Sequence, residues 1–427
     1  MTGTQAVAAA STERGGHGPI TTGRRLVGAL AITQTIGYGV LYYAFAVFLT
    51  PIAADLHTST TMVTGAATVS VLVAALAAVP VGRWLDRHGG RGLMTTGSIL
   101  GTLALLAWSQ VETVAALYAV FALIGLASAM VLYESAFAII VARFTARGRP
   151  AALLAVTIVA GFASSIFLPL TGLLETRLCW RDALVVLAVI HGAGTIPLHA
   201  FALSRAEPRD RTEAGHPGSV ARAVALRTAL RDRGFWLLTA AFVAHSAAVA
   251  VIAVHLVTYL RTLGHPAAFA AAIAGLLGVL SVTGRLATTG LGRRYATATV
   301  TAVVFALQAV AVAVLPLVGQ TRTGAAVCVV VFGLGFGVAT IARPALLAER
   351  YDTAVYATLA GALALPATMA KAVTPLAAAV LYAATGTYTP VMVAVAVGSA
   401  VAGIGLFLLR PLAHRVVTSV SGWVGGR

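Results

Sequence analysis

Three ionisable residues lie inside long apolar stretches of this chain, where an uncompensated charge is costly. Lys371 is the only lysine of the sequence and lies about 17 residues inside one apolar run. Arg285 and Glu134 lie in two other runs. A cation held among apolar helices can bind an anion. A carboxyl group held there can carry a proton, because burial disfavours its charged form.

Each of these residues also has an ordinary explanation. A lysine can pair with an acid or extend to the membrane interface, but from mid-run this takes about 15–20 Å. That reach exceeds the side chain, which favours a functional role for Lys371. Glu134 can instead neutralise an arginine such as Arg143 or Arg343, and this interpretation is favoured over a proton carrier. Four further residues are expected to be hydrogen-bonded packing histidines: His191, His199, His245 and His255.

A charged segment, Gly82–Arg91, separates two apolar runs and has the pattern Gly-x-x-x-Asp-Arg-x-Gly-x-Arg. Gly82 allows close helix contact, and the glycine pair at Gly89 allows the chain to reverse. Asp86 can lie at the positive N-terminus of a neighbouring helix, while the arginines pair with acids or helix C-termini. The alternative is a basic segment that only fixes orientation in the membrane.

A degraded copy of this segment, Gly284–Arg294, follows 202 positions later and has Thr288 in place of the aspartate. It leaves two interpretations for Arg285. This residue lies eight positions before Arg293, about 12 Å inside the run, where it can meet a ligand. When the two copies are aligned with the 202-residue offset, however, Arg285 corresponds to Arg83, and this alignment would place it at the edge of a loop.

The composition is that of a membrane protein. The 427 residues are 59% hydrophobic and 10% charged, with a mean hydropathy of +0.92, whereas soluble domains carry about 25% charged residues. The first apolar run is too long for the core of a signal peptide. Twelve runs predict membrane-spanning helices: 26–53, 62–82, 93–110, 114–142, 150–174, 182–203, 235–260, 267–291, 295–318, 324–347, 354–384 and 389–410.

The distribution of arginine predicts the topology. The odd-numbered connections between successive runs carry only four basic residues, Arg177, Arg181, Arg261 and Arg322. Most of the other basic residues lie in the even-numbered connections and the two termini, and because basic residues favour the cytoplasm, both termini are expected to be cytoplasmic. Ser165-x-x-x-Pro169 and Lys371-x-x-x-Pro375 are offset by 206 positions, close to 202, which indicates an internal duplication. The prediction is an all-α membrane protein of two pseudo-symmetric six-helix halves. Its parts are cytoplasmic tails at 1–25 and 411–427, halves at 26–203 and 235–410, and a cytoplasmic linker at 204–234 with a short cationic helix from Val220 to Leu230.

Several classes of function are not expected. The net charge of +16 is spread over alternate loops, which argues against nucleic-acid binding. Gly333, Gly335 and Gly337 lie inside an apolar run, where helix packing explains them better than phosphate binding. Two cysteines make no disulfide framework, and no spacing indicates a metal site. We therefore expect no cofactor, no metal, no enzymatic nucleophile and a monomer.

The charged segment resembles the loop between the second and third helices of the major facilitator superfamily. The resemblance implies a conformational latch made of Gly82, Asp86, Arg87, Gly90 and Arg91 that holds two halves together. Gly284-Arg285 looks like a Gly-Arg pair in the eighth helix of the monocarboxylate-porter and oxalate/formate antiporter branches. Met369-Ala370-Lys371 looks like a lysine position in the eleventh helix of the oxalate branch, where the two cations grip substrate carboxylates. In that resemblance Tyr38, Tyr42 and Tyr43 correspond to the aromatic lining from the first helix.

These observations predict a secondary active transporter of a small mono- or dicarboxylate in the cell (inner) membrane. Lys371 and Arg285 would neutralise the anion, Ser165 would hydrogen-bond a substrate oxygen, and a proton or second anion would drive the cycle. One alternative is an exporter of drugs or secondary metabolites, which suits the apolar walls. A second is a membrane sensor on the same fold that binds a ligand without transporting it.

Overall fold

The computed structural model describes residues 19–203 and 219–409; most of the predicted tails and the first part of the predicted linker lie outside these ranges. Within them every regular element is helical, and twelve helices are long and apolar enough to span a membrane. They coincide with the twelve predicted runs, so the predicted fold class is confirmed. Numbered 1 to 12 in chain order, the spans are Gly23–Asp55, Thr60–His88, Gly90–Ser109, Val114–Arg143, Arg149–Arg177, Trp180–Ala202, Arg233–Thr262, Ala272–Leu291, Thr297–Val318, Arg322–Arg350, Tyr356–Thr385 and Thr389–Leu409.

Several spans are interrupted, and two of the breaks occur at matching places in the two halves. Span 4 breaks at Leu132, whose backbone is extended, and span 10 breaks at Gly337, 205 positions later. Span 1 contains a π-helical turn, Gly39–Tyr43. A side chain at Gly39 would lie 2.2 Å from the ring of Phe167 in span 5, so the two spans approach closely there. Such irregular backbone recurs at functional sites.

A short helix, Ser219–Arg231, leads from the linker into span 7, and Asp232 caps that span. Asp232 accepts hydrogen bonds from Arg350 at 2.9 Å and from the Tyr351 hydroxyl at 2.7 Å, which ties the start of span 7 to the end of span 10. Burial by itself would raise the pKa of the Asp232 carboxyl. These bonds and one from the Gly234 N–H outweigh burial and hold the pKa below its usual value.

The two halves meet mainly on one face of the bundle, which we call the linker side because span 7 begins there. Span 2 packs along span 11, and span 5 packs against spans 8 and 10 through its first segment, Arg149–Gly161. The Arg149 side chain also donates to the Ala348 carbonyl in span 10. On the opposite side, Ala44–Asp55 and Ala163–Arg177 pack mainly within their own half. The interface is therefore closed on the linker side.

Close glycine contacts fix the packing inside the second half, and span 8 offers a matched pair to test them. A Cβ atom at Gly284 would lie 1.7 Å from the Leu334 carbonyl oxygen, whereas one at Gly275 meets nothing within 4 Å. Gly284→Ala should lower the thermal unfolding midpoint in detergent by several degrees, because the two backbones must separate. Gly275→Ala should leave it unchanged or slightly raised, since alanine favours helix. Equal midpoints for the two variants would contradict the packing of span 8 on span 10.

Candidate functional site

A cavity of about 270 Å³ lies between the two halves and is lined by spans 1, 2, 4, 7, 10 and 11. Its floor on the linker side is the crossing of span 2 with span 11 at Gly82 and Ala357. Small and apolar side chains make up most of its wall. The ionisable and phenolic residues among its lining are Tyr38, Tyr133, Glu134, His245, Arg343 and Lys371.

Lys371 lies in the middle of span 11 and lines this cavity. It follows Tyr356, the first residue of the helix, by about 22 Å of helical rise. Its side chain is exposed, and no carboxylate among the described residues lies within 4.0 Å of it. Pro375 has no N–H, so the Lys371 carbonyl loses its usual partner in the helix. The amine therefore lines the cavity without an ion pair among the described residues.

Glu134 and Arg343 form an ion pair across the cavity, joining span 4 of one half to span 10 of the other. Glu134 lies in the first turn of the helix that follows the break at Leu132, where the helix dipole favours a carboxylate. Of the partners left open by the sequence, the carboxylate binds Arg343. Among the cavity-lining residues, two basic side chains therefore face one carboxylate, which leaves an excess of one positive charge while Lys371 is protonated.

Tyr38 is the one tyrosine of its predicted group that lines the cavity. Its ring lies 4.6 Å from that of Tyr133 in span 4, which stacks on Phe137 at 4.9 Å. Tyr42 is 57% exposed, and neither it nor Tyr43 belongs to the lining. The π turn accounts for this difference, because it changes the register of span 1 immediately after Tyr38.

Ser165 in span 5 is exposed and is not part of the cavity lining. Its neighbour Ser164 forms a side-chain hydrogen bond with Tyr43. The pseudo-symmetric relation between Ser165 and Lys371 therefore does not bring these two residues to a shared cavity in this conformation.

Arg285 lies inside span 8, whose helix continues to Leu291, so its interpretation as a loop-edge residue is wrong. Its guanidinium donates to the Thr157 carbonyl of the other half at 3.0 Å and to the Gly337 carbonyl at 3.2 Å. It also reaches the Ser281 hydroxyl at 3.2 Å and is not part of the cavity lining. Arg285 therefore bridges the halves through backbone carbonyls, and its role as a substrate ligand stays a prediction.

The Asp86 carboxylate binds the first turn of span 11. It accepts from the backbone N–H groups of Ala357 and Thr358 at 2.9 and 2.8 Å, and from the Thr358 hydroxyl at 2.6 Å. The helices cross closely just above it. A Cβ at Gly82 would lie 2.2 Å from the Ala357 carbonyl, and one at Gly361 would lie 2.2 Å from the Ala78 carbonyl. The charged hydrogen bonds of Asp86 and the close packing of span 2 on span 11 thus occur at the same contact between the two halves.

The rest of the predicted latch behaves differently. Helix continues through the segment to His88, and only Gly89, with a φ of 78°, makes the turn. Gly90 already begins span 3, and a side chain there would meet Ile139 at 2.3 Å. Arg87 is exposed and Arg91 is partly buried, and neither has an ion pair among the described residues. The expected pairing of these arginines is not observed.

The second copy of the segment makes no equivalent contact. The Thr288 hydroxyl donates to the Gly284 carbonyl of its own helix at 2.7 Å. The contact at the start of span 11 is thus asymmetric, as the missing aspartate predicted.

His245 lines the cavity from span 7, and its Nδ1 atom is buried without a hydrogen-bond partner, so the expectation of a hydrogen-bonded packing histidine is wrong for this residue. Its only signal was a histidine within an apolar run, a signal shared by His191, His199 and His255. Those three bind Thr102, Ser98 and Tyr388, respectively, and have the expected packing roles. In the described ranges no group of three or more His, Cys, Asp and Glu residues could hold a metal.

The Asp86 contact predicts that Asp86→Asn weakens closure of the linker side. Loss of the charged acceptor should raise the labelling rate of an Ala129→Cys reporter in the cavity about tenfold, because charged hydrogen bonds contribute about 1.5–3 kcal/mol. The measurement uses an impermeant thiol reagent on the linker side, in a background with Cys179 and Cys328 replaced. Asp352→Asn, which removes an exposed acid just before span 11, is the control. Equal labelling of both variants would contradict the latch.

A family model described as Major Facilitator Superfamily matches residues 30–365. No match was found among curated proteins.

The fold is similar to three kinds of solved transporter. A single-substitution variant of the E. coli fucose:proton symporter FucP has a TM-score of 0.70 at 13% identity, covering 92% of this chain and 99% of its own. The human organic anion transporter MFSD10 (TETRAN) has a TM-score of 0.67 at 15% identity, covering 91% and 99%. A bacterial homologue of the iron transporter ferroportin, in an outward-facing state, has a TM-score of 0.73 at 15% identity, covering 91% and 99%. From its fold and the family model, this chain belongs to the Major Facilitator Superfamily and is a multi-pass membrane transporter that works by alternating access.

Proposed function

We propose that the transported substrate is a small organic anion, a carboxylate, and that Lys371 is its primary binding group. The observation that carries this proposal is the unpaired amine of Lys371, exposed to a cavity between the halves. An ammonium group deep in a membrane protein is costly unless a partner or water compensates it. A carboxylate supplies that partner and also removes the excess positive charge of the cavity.

The structural relatives do not choose the substrate, since they include sugar, organic anion and iron transporters at low identity. The charge of the cavity supports an anion. A neutral sugar would leave Lys371 without a counter-charge, and a metal cation would meet net positive charge. The human organic anion transporter MFSD10, which has this fold, is consistent with an organic anion as the substrate.

The closed linker side is, in this proposal, the cytoplasmic side, because arginine-rich connections favour the cytoplasm. Both termini then lie in the cytoplasm of a cell whose inner membrane holds the protein as a monomer. The conformation is outward-facing. To release substrate inward, the carrier has to separate Asp86 from span 11, Glu134 from Arg343 and Arg285 from the Thr157 carbonyl.

A second candidate is export of hydrophobic drugs or secondary metabolites, which the apolar walls of the cavity favour. Alanine, valine, leucine and phenylalanine make up about half of the lining, although they surround a free cation. No observation specifically favours the third candidate, a sensor that binds without transporting. Exchange of labelled ligand across proteoliposomes separates the sensor from both transporters.

The anion proposal predicts that Lys371→Gln abolishes carboxylate transport while Lys371→Arg retains part of it. Uptake of radiolabelled lactate, pyruvate or oxalate into vesicles should fall about 30-fold or more in the glutamine variant, since a charge partner is lost. The arginine variant keeps the positive charge and serves as the matched control. Unchanged carboxylate flux in the glutamine variant would favour the exporter instead.

We further propose that Glu134 carries the coupling proton. Opening the cavity inward strands Glu134 and Arg343 as separate charges, and protonation of the carboxylate removes half of that cost. Glu134→Gln should therefore abolish the acceleration of uptake by an imposed proton gradient, while exchange of substrate at equal concentrations continues. Asp182→Asn, an exposed acid outside the cavity, should leave the acceleration intact. A glutamine variant that still responds to the gradient would exclude Glu134 as the proton carrier.

A further inference from the structure

His245 is a buried side chain that lines the substrate cavity and has no hydrogen-bond partner. It is 2% exposed, its Nδ1 atom is fully enclosed without a partner, and its Nε2 forms no hydrogen bond with any described residue. Buried polar atoms are normally hydrogen-bonded, so an exception calls for an explanation. The other buried histidines of the described spans, His191, His199 and His255, each bond a side chain from another part of the fold through one ring nitrogen, and His255 also bonds the Pro375 carbonyl through the other.

The ring of His245 is held in place although it is not hydrogen-bonded. It stacks on Phe305 of span 9 at 4.0 Å with an interplanar angle of 12°. Phe242 packs edge-on against the same phenyl ring at 6.1 Å. Packing alone therefore fixes the imidazole at the cavity wall, and a fixed, unpaired polar group is ready to bind a ligand at small entropic cost.

Hydroxyl groups around His245 are also available. Ser246, Thr340 and Thr368 line the cavity and form no side-chain hydrogen bond with the described residues. Away from the cavity, hydroxyls in the same half bind carbonyls of their own helices, as Thr239 and Thr301 do. The second half therefore presents unpaired hydrogen-bonding groups around Lys371, on spans 7, 10 and 11.

The facing wall is different. Span 2 contributes Ala74, Ala75, Ala78, Val81 and Leu85, which offer no hydrogen bond from a side chain. Span 2 therefore offers a substrate no hydrogen bond from a side chain, and the polar groups that line the cavity are those of the second half together with Tyr38, Tyr133 and Glu134 of spans 1 and 4. Thr368 and Lys371 are three residues apart on span 11 and so share a face of that helix. His245 and Ser246 are on span 7 and address a different part of the same molecule.

We infer that His245 hydrogen-bonds an oxygen of the substrate other than its carboxylate, so that the substrate class is a small hydroxy- or oxo-carboxylate. This inference rests on the proposed function, in which Lys371 binds the carboxylate. An ammonium has three donors and can satisfy a carboxylate with the help of Thr368. A hydroxyl or keto oxygen on the neighbouring carbons then meets the imidazole. A cavity of about 270 Å³ suits a molecule of only a few carbons.

The test compares 2-hydroxybutyrate with butyrate, which differ only in the hydroxyl group. Uptake into proteoliposomes is measured for wild type, His245→Phe and His245→Gln. Phenylalanine keeps the stacking on Phe305 but cannot hydrogen-bond, whereas glutamine can. Wild type should prefer the hydroxy acid roughly 10- to 100-fold, because the plain acid leaves the imidazole unpaired.

The phenylalanine variant should lose this preference, because uptake of the hydroxy acid should slow about 10-fold or more relative to uptake of butyrate. Glutamine should restore part of the preference. His191→Phe, in a buried site that faces Thr102 and not the cavity, should leave the ratio as in wild type.

Three results separate the inference from the proposed function. A phenylalanine variant that retains the full preference overturns the role of His245. A wild-type protein that transports both acids equally overturns the inference but leaves an anion transporter. The third result is a wild-type protein that transports neither acid and shows no carboxylate uptake that Lys371→Gln abolishes. This result overturns the proposed function and the inference with it.

Discussion

The carboxylate of Asp86 at the start of span 11 decides where the cavity closes and where its free amine lies. The first N–H groups of a helix lack partners within the helix, and the helix dipole favours a negative charge there. The Asp86 carboxylate, in the first half, accepts hydrogen bonds from two of these N–H groups and from the Thr358 hydroxyl in the second half. This arrangement requires the close crossing at Gly82 and Gly361, because a side chain at either position would meet backbone. Lys371 follows Thr358 by three to four turns of the same helix, so a tilt of span 11 that breaks the Asp86 contacts also moves the amine.

The ion pair between Glu134 and Arg343 also couples the charges in the cavity to the movement of the two halves. Separating a buried ion pair so that each charge is stranded costs up to about 3–5 kcal/mol, and less where water reaches the side chains, as it does partly at Glu134 and Arg343. The pair therefore opposes inward opening as long as nothing replaces either partner. A bound carboxylate can compensate the cationic side of the cavity, and a proton can compensate Glu134. Under the proposed function, substrate and proton thus act on the same barrier, which is the physical requirement for coupling.

Much of the fold could be predicted from the sequence, because the length of an apolar run reports directly on a membrane span. All twelve runs appear as helices, and the asymmetry of the latch follows from Thr288 in place of an aspartate. The details of the site depend on backbone irregularities that have no clear sequence signal. The π turn after Tyr38 takes Tyr42 out of the cavity lining, and the chain reversal uses Gly89 alone. The predictions for Lys371 and Glu134 rested on the cost of buried charge, which is local information. The unpaired state of His245 depends on how span 7 packs against other spans, such as span 9 at Phe305, and could not be predicted from the run that contains it.

The difference between the two walls bears on how such a carrier would move its substrate. The free amine, the imidazole and the unpaired hydroxyls lie on spans 7, 10 and 11, whereas span 2 presents small apolar groups. If polar binding groups stay on one half, the substrate remains attached to that half while the apolar wall moves past it. Contacts with an apolar wall are non-directional and lose little when they shift, whereas hydrogen bonds weaken steeply when their geometry changes. Span 2 can therefore shift past a bound anion without breaking the bonds that Lys371 and His245 make to it under the proposals above. In this arrangement, span 2 contributes to closure of the linker side through its contacts with span 11, whereas recognition rests on the polar residues of spans 7, 10 and 11 and on Tyr38, Tyr133 and Glu134 of spans 1 and 4.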